Sequence, residues 1–462
     1  MPAPQHELTE RLVAAVAAKD RDTVKALLTE GADPNAPGPD GLPLLCAAVA
    51  AFDHEIAEAL TDGGADPDRT LPDGTTPLLR AVDLGSNALV GAVLGNDPQL
   101  RLPEGCRKQL LDLARHWVET GEEEELHRRT GAAGPATRRL VNDDRYTDVE
   151  EVSLGGLTVR AGHSAILTSL EELFGILAPV AELVARAVPY WSPDETHINW
   201  STARYALGQR QSPQDSSDLK ALQHHPDPVH RRCLADVVWS RNSMTWWNQR
   251  QDTAQDAEFL AAWALDEPDG MVLARVLEVY ADGEHPNQEA IGLRYADHPD
   301  PRVRSQVPSL ISREVPPTEA AATTLLALSR DSDPEVRRST AADLAAHLTP
   351  AFRDALPALT RDCDFDVRAR AAIALGASDD RTAALTAALV ALLDEEHQLL
   401  RLEIVYALAR RDDPRTEQAY KRVGELPPGF GEIGPHQEDH RILAYWDYQR
   451  RNSPTESDSP TS

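Results

Sequence analysis

The chain of 462 residues is too long for one ordinary hydrophobic core, and its length favours about three domains or one extended repeat array. Hydrophobic residues make up 41% of the chain and charged residues 26%, which argues against a disordered protein. Aromatic residues are only 5%, and alanine and leucine supply most apolar positions. We therefore expect a mainly α-helical protein.

The formal net charge of −29 repels phosphate backbones and anionic lipid headgroups, so it disfavours nucleic acid and membranes as general partners. The four cysteines form no CxxC pair, so neither a disulfide framework nor a zinc site is expected. Residues 1–7 do not resemble a secretory signal, and no apolar run reaches the roughly 20 residues of a membrane-spanning helix. A cytoplasmic protein is predicted.

Two motifs recur near the N-terminus at an interval of 33 residues. The tetrapeptide GADP occupies residues 31–34 and 64–67, and an Asp-Gly pair occupies residues 40–41 and 73–74. This interval is the length of an ankyrin unit, and residues 73–81 resemble the D-G-x-T-P-L-x-x-A signature of that family. With an earlier unit of helical periodicity before residue 35, ankyrin-like repeats are predicted over residues 5–98.

Glycine, threonine and proline have positions that suit such repeats. Gly31 and Gly64 can take the left-handed conformation that ends a helix, and Thr76-Pro77 suits a helix start. The second unit has Leu42-Pro43 at that point, so its cap should be weaker or shifted. Three units are near the minimum for a stacked array, so this module should depend on the residues after it.

Residues 99–190 are predicted to form a helical connector with a small β-hairpin. Gly155-Gly156 lies between two short apolar stretches and supplies the positive φ angles of a two-residue hairpin turn. Helices are expected over residues 107–118, 164–177 and 180–188. The acidic run at residues 122–125 is interpreted as a solvated face or loop.

An acidic turn followed by Val-Arg recurs in the second half of the chain. The copies are HPDPRVR at residues 298–304, DSDPEVR at 331–337 and DCDFDVR at 362–368, and Leu400-Arg401 continues the series. These segments resemble HEAT repeats, including the HEAT-like units of phycobilisome lyases, and weaker copies begin at His225 and Glu267. In this motif Asp caps the second helix of a pair, Pro fixes its first turn, Val enters the core and Arg can bridge to a neighbouring repeat.

The resemblance implies a HEAT-like α-solenoid of about six units over residues 195–425. Residues 426–452 are predicted to be a C-terminal extension. Residues 453–462, rich in Ser, Pro and Thr, are predicted to be a disordered tail.

Motifs of catalysis are not found: the sequence has no Walker loop, GxGxxG, GxSxG or HExxH. No catalytic residue, metal site or cofactor is predicted, and a non-enzymatic protein is favoured. The histidines at 224, 225 and 230 are interpreted as solvated turn residues rather than metal ligands. The acidic pairs at 379–380 and 412–413 are interpreted as turns rather than acid/base pairs.

Tryptophan and arginine are concentrated within residues 233–251, at an expected loop between helices. The predicted partner-binding residues are Trp239, Arg241, Trp246, Trp247 and Arg250. Both residue types dominate binding hot spots. Residues 201–250 carry seven Lys/Arg against four Asp/Glu, whereas residues 251–300 carry two against twelve, so this segment could present a local basic, aromatic surface. The alternative is that the tryptophans fill a gap between irregular repeats.

The favoured function is a protein-binding scaffold or regulator of unknown partner, because both repeat families resembled here mostly bind proteins. One alternative is a HEAT-like DNA-binding protein or DNA glycosylase, in which Asp236 and the nearby tryptophans would act. A second is an accessory or modifying enzyme acting on a small molecule or peptide. With only five lysines among 46 basic residues, the composition resembles that of proteins from high-GC bacteria.

Overall fold

The computed structural model describes residues 5–193, 195–210, 212–243, 253–313, 316–344, 354–378 and 381–425, together with residues 352, 445, 448, 449 and 451. The predicted tail at residues 453–462 and the acidic pair at 379–380 lie outside this part. Helices dominate, and the predicted mainly α-helical class with a small β-sheet is confirmed. The chain divides into two compact units, Met1–Asn248 and Gln249–Ser462. Within the described part, no helix is both long enough and apolar enough to cross a membrane.

The first unit opens with three pairs of helices, which are the predicted repeats. They are α1 (Gln5–Ala17), α2 (Arg21–Thr29), α3 (Leu44–Ala50), α4 (His54–Asp62), α5 (Pro77–Leu84) and α6 (Asn87–Leu94). The second helix of each pair is capped by a side chain, from Asp20, Asp53 and Ser86 in turn, that accepts a hydrogen bond from a backbone N–H three residues on.

The helix starts differ between repeats as the sequence predicts. Thr76 caps α5 by accepting from the N–H of Leu79, and Pro77 follows in the first turn. Helix α3 has Pro43 at the capping position and no side-chain cap, which confirms the weaker start. Gly31 and Gly64 have φ angles of 100° and 96°, in the left-handed region expected for them.

The rest of the first unit comprises the predicted connector and, from residue 195 onward, the first part of the region predicted as a HEAT-like solenoid. Its helices are α7 (Pro98–Arg101), α8 (Glu104–Thr120), α9 (Glu122–Thr130), α10 (His163–Leu173), α11 (Val180–Ala187), α12 (Ile198–Gln209), α13 (Pro213–Ala221) and α14 (Pro228–Ser243), with 3-10 turns at Val188–Tyr190 and Leu222–His224. Its strands are β1 (Thr137–Asn142), β2 (Asp148–Leu154) and β3 (Leu157–Arg160). The strands form an antiparallel sheet in the order β1-β2-β3.

The predicted hairpin is confirmed by β2 and β3, which pair from Leu154 opposite Leu157 through a turn at Gly155 and Gly156. Both glycines have positive φ angles, 59° and 86°, as a two-residue turn of this type requires. The sequence does not predict strand β1, because its residues TRRLVN do not alternate between apolar and polar.

The repeat module does depend on the connector. One hydrophobic core runs from the helix pairs into α8 and α10, where Leu110, Ala114 and Leu167 are almost completely buried. A buried ion pair adds to this packing: Asp143, after β1, accepts from Arg160 at 3.1 Å and from the hydroxyl of Ser86 at 2.6 Å. Since Ser86 caps α6, the sheet fixes the start of the last repeat helix.

The interpretation of residues 122–125 as a solvated face or loop is wrong. They form the first turn of α9, where negative charge is favoured by the helix dipole. The side chain of Glu125 is fully buried and accepts hydrogen bonds from Arg128 at 2.6 and 2.7 Å and from Arg129 at 2.7 Å. Arg129 also donates to Asp83 of α5, so the acidic turn connects the connector to the repeats.

The second unit consists of helices throughout its described residues. They are α15 (Thr253–Asp266), α16 (Gly270–Asp282), α17 (Gln288–Arg294), α18 (Pro301–Arg304), α19 (Val307–Ile311), α20 (Glu319–Leu328), α21 (Pro334–Leu344), α22 (Ala355–Leu359), α23 (Phe365–Ala377), α24 (Ala383–Ala391), α25 (Gln398–Ala409) and α26 (Thr416–Val423), with a 3-10 turn at Leu392–Asp394. The aligned residues Val303, Val336, Val367 and Leu400 are all buried, as predicted.

Aspartates cap the second helix of successive pairs in this unit. Asp269, Asp300 and Asp364 each accept from a backbone N–H at the start of the helix that follows. Asp333 accepts in the same way from the N–H of Glu335 at 2.9 Å. The capping role assigned to the motif is therefore confirmed, including at the weaker copy that contains Asp269.

Candidate protein-binding surfaces

Two of the five predicted partner-binding residues, Trp239 and Arg241, lie on α14, whereas Trp246, Trp247 and Arg250 lie outside the described residues. Trp239 is half-buried, and the guanidinium carbon of Arg204 on α12 lies 4.9 Å from its ring centroid. Two guanidinium nitrogens of Arg241 are buried with no hydrogen-bond partner among the described residues. A shared binding surface for the five residues remains a prediction.

Asp236, the acidic residue of the DNA glycosylase alternative, lies on the same helix. Its side chain is fully buried, and its carboxylate is 3.3 Å from Nε of Arg232, one turn earlier. Arg232 also pairs with Glu195. A carboxylate enclosed by protein in this way is not placed to reach a nucleotide, so its geometry gives that alternative no support.

The turn at residues 225–231 has a structural role. The rings of His225 and His230 stack at 3.8 Å, and His230 lies 3.0 Å from the carboxylate of Asp227. Arg231 donates to the backbone carbonyls of His225 at 2.7 Å and Pro226 at 3.2 Å. Arg231 therefore stabilises the turn that precedes it. These contacts agree with the interpretation of the histidines as turn residues.

The same arginine position repeats in the second unit as an arginine ladder, formed by Arg304, Arg337 and Arg368. One nitrogen of each guanidinium donates to two backbone carbonyls of its own turn, at 2.8 to 3.2 Å. The other two nitrogens donate to both carboxylate oxygens of the acid that opens the next turn. These acids are Asp331, Asp362 and Glu395.

The ladder confirms that the motif arginine bridges neighbouring repeats. Hydrogen bonds from Arg304 and Arg337 hold the pKa of Asp331 and of Asp362 below the usual value. The pairs are largely shielded, since the side chains of Arg337 and Asp362 are only 12% and 11% exposed. The ladder therefore contributes to the stacking of repeats and leaves its charges unavailable to a partner.

The outward side of the second helices offers a different kind of surface. Glu278, Ser309, Ala342, Ile373 and Tyr406 each lie six residues after a core position of the repeat, and they follow one another at intervals of 31 or 33 residues. We call this series the second-helix face. None of the five is buried, and the exposed fraction of the Ile373 side chain reaches 40%.

A cleft of about 480 Å³ opens on the first half of the second-helix face. Side chains from three successive repeats line it, among them Glu278, Asp282, Ser309, Arg313 and Asp343. The hydroxyls of Ser309 and Ser312 lie 3.3 and 3.0 Å from the Asp343 carboxylate. Burial, reinforced by the negative charge of Glu278, raises the pKa of Asp282.

The other half of the face is more apolar. Beside Ile373 on α23, helix α25 exposes Leu399 and carries Tyr406, over which the guanidinium carbon of Arg410 lies at 5.8 Å from the ring centroid. Polar groups therefore surround the cleft, and aliphatic and aromatic groups follow it along the repeats. Protein interfaces likewise combine apolar and polar groups.

Sequence reasoning did not identify the second-helix face. Its positions share a spacing but not a residue type, so they give no motif, while the core valines and capping aspartates do. The available signal was the register itself, because a position six residues after a core residue lies about two-thirds of a turn further round a regular helix.

Comparison with known proteins agrees with this division of repeats. Residues 12–101 match the family model of ankyrin repeats (3 copies), and residues 352–421 match that of HEAT repeats. No curated protein matches the chain. Among solved structures, the chain is similar to one in the structure of the Pds5-Scc1 complex, at 11% identity over 96% of this chain and 73% of that one, with a TM-score of 0.28.

Proposed function

We propose that this chain is a non-catalytic scaffold or regulator that binds another protein. It carries ankyrin repeats at residues 12–101 and HEAT repeats at residues 352–421. Repeats of both kinds stack into extended surfaces, and such surfaces support protein interaction. The partner is defined here only as a protein.

The second-helix face is the binding surface in this proposal. Its outward positions on successive repeats, none of them buried, are the observation that carries it. An extended array of outward side chains with a cleft at one end and apolar groups at the other fits a partner segment that crosses several repeats. The arginine ladder keeps the spacing of these repeats fixed without using the surface itself.

Affinity capture from a native bacterial extract at low salt, followed by mass spectrometry, tests the proposal. We expect the wild-type chain to retain a protein partner that is lost with Ala342→Arg and with Ile373→Arg, since each places a long charged group on the second-helix face. Ala387→Arg is the matched control, because Ala387 is exposed on α24, a first helix of its pair.

The capture experiment distinguishes three outcomes. Loss of the partner with both face variants and its retention with the α24 control supports the proposed surface. A partner retained by all variants would place the interaction elsewhere, and recovery of no protein at low salt would argue against a scaffold. Circular dichroism of each variant verifies that the fold is unchanged.

We also propose a localisation and source, a second contact for the partner, and limits for the repeat regions. A cytoplasmic, bacterial origin is supported by composition and by free thiols at all four cysteines. The Trp-Arg cluster of Trp239, Arg241, Trp246, Trp247 and Arg250 is proposed as a secondary contact for the partner. The boundaries at residues 98, 190 and 425 are proposed limits of the repeat regions and the connector.

A further inference from the structure

Strand β1 is the outer strand of the three-stranded sheet. It pairs with β2 on one side, and no strand in the described part of the chain pairs with its other side. Its burial is slight: five of its six residues are exposed and only Val141 is half-buried. A strand edge of this kind presents backbone donors and acceptors that another strand can use.

The hairpin register shows which backbone groups these are. The N–H of Asp143 donates to the carbonyl of Thr147 at 2.8 Å, which places Asn142 and Asp148 in a non-hydrogen-bonded pair. Because the pattern alternates, residues 137, 139 and 141 bond to β2. The N–H and C=O groups of Arg138, Leu140 and Asn142 therefore point away from the sheet.

The side chains of β1 leave this edge accessible. Arg138 pairs with Glu150 of β2, at 2.8 Å, and Arg139 pairs with Glu151 at 2.7 Å, so both guanidinium groups lie back along their own sheet. Leu140, at the centre of the residues whose backbone faces outward, is 64% exposed. An exposed leucine at the centre of an open edge is unusual, because edges are commonly protected by charge at that position.

We propose that the β1 edge binds the β1 edge of a second copy of this chain, antiparallel, with Leu140 opposite Leu140 on a two-fold axis. In this register Arg138 lies opposite Asn142 of the partner copy, so all the outward backbone groups of both strands find partners. The two leucines come into direct cross-strand contact and cover each other.

One of the two neighbouring registers is less favourable for charge. A shift by two residues in one direction sets Arg139 opposite Arg139, and like charges directly opposite are destabilising. Any shift also leaves outward backbone groups at the strand ends unpaired. The register with Leu140 opposite Leu140 is therefore the one that pairs all the outward backbone groups and covers Leu140 with its own copy.

The dimer is expected to be weak and reversible. A six-residue edge covers less surface than a standard stable interface, and two chains of formal charge −29 repel each other at long range. Added salt screens this repulsion while leaving the strand pairing intact, so dimerisation should strengthen as ionic strength rises. Most ion-pair interfaces show the opposite dependence.

Sedimentation equilibrium of the full chain over a wide concentration range tests this. The average mass should rise from 50.5 kDa toward twice that value, and further at higher salt. Leu140→Arg should raise the dissociation constant by about tenfold or more, because it sets two positive charges opposite each other. Tyr146→Arg is the control: Tyr146 is 72% exposed in the neighbouring turn but lies outside the strand.

A disulfide trap tests the register. In a Cys106→Ser, Cys363→Ser background, which removes the exposed thiols, Leu140→Cys should form a covalent dimer on mild oxidation. Cα atoms of directly opposite residues lie about 5.5 Å apart, within disulfide range. The Tyr146→Cys control should not cross-link. A monomeric wild type at all concentrations, a dimer unaffected by Leu140→Arg, or no cross-link through residue 140 would each overturn the proposal.

Discussion

Arg337 on α21 donates two hydrogen bonds, of 2.7 and 2.8 Å, to the two carboxylate oxygens of Asp362, which opens the next repeat. The same guanidinium also binds two carbonyls of its own turn. One side chain therefore fixes both the conformation of a turn and the position of its neighbour. Loss of this group should affect two repeats at once.

Arg337→Ala should lower the free energy of unfolding by about 1.5 to 3 kcal/mol, the usual range for hydrogen bonds to charged groups. Arg337→Lys should recover only part of the loss, because lysine keeps the charge without the planar fork. Urea denaturation measures both. Arg338→Ala is the control, since Arg338 is 43% exposed and pairs with Glu335 within its own helix. Equal losses at 337 and 338 would refute a special role for the ladder.

The ladder should also make stability depend on pH. Arg337 lowers the pKa of Asp362 below the usual 3.8, so the pair stabilises the fold above that pH and the contribution is lost as pH falls through the lowered value. The difference in unfolding free energy between wild type and Arg337→Ala should therefore be constant near neutrality and shrink below about pH 4. Denaturation curves from pH 7 to pH 3 check this, and a difference of undiminished size at pH 3 would contradict it.

Gly85 is required by the close approach of the repeats to the sheet. A Cβ atom there would lie 1.8 Å from the carbonyl oxygen of Arg160 and 2.5 Å from the ring of His163. Gly85→Ala should cost about 4 kcal/mol or more, as clashes of this kind do. Gly74→Ala meets no atom within 4 Å and has a similar φ of 83°, so it should cost only about 1 kcal/mol. Thermal or urea unfolding of the two variants separates the clash from the backbone strain.

Glu125 should be far more sensitive to substitution than its neighbour Glu124. Glu125→Gln leaves Arg128 and Arg129 without the buried carboxylate that they share, and should cost about 3 kcal/mol. Glu124 is exposed, so Glu124→Gln should change stability by less than about 0.5 kcal/mol. Comparable effects of the two substitutions on urea midpoints would show that burial of the Glu125 side chain does not account for its contribution to stability.

Much of the fold could be predicted from the sequence, because repeated turns need particular residues. Thr76-Pro77 and the aspartate caps indicate helix starts, and Gly155-Gly156 indicates a hairpin. Strand β1 carries no such signal, since it is stabilised by pairing with β2 rather than by its own composition. The buried role of Glu125 could not be predicted, because its partners come from helix geometry and from a tertiary contact.

The candidate binding surface was harder to predict than the fold. Ser309, Ala342 and Ile373 occupy equivalent positions but have nothing in common chemically, so only a three-dimensional structure brings them together. The prediction that tryptophans and arginines near residue 240 bind a partner was based on residue type instead. Trp239 is half-buried and packs against Arg204 of its own chain. Composition alone does not distinguish such a tryptophan from one that is exposed for binding.

The sharing of each ladder arginine between two turns also bears on how this region can change in evolution. If a single helix pair were deleted, a ladder arginine would face the acid of the turn after next. The ion pair could form again only if that acid occupies the equivalent position in its own turn. Asp331, Asp362 and Glu395 do occupy it. Loss or duplication of a complete helix pair should therefore preserve the ion pairs between successive turns.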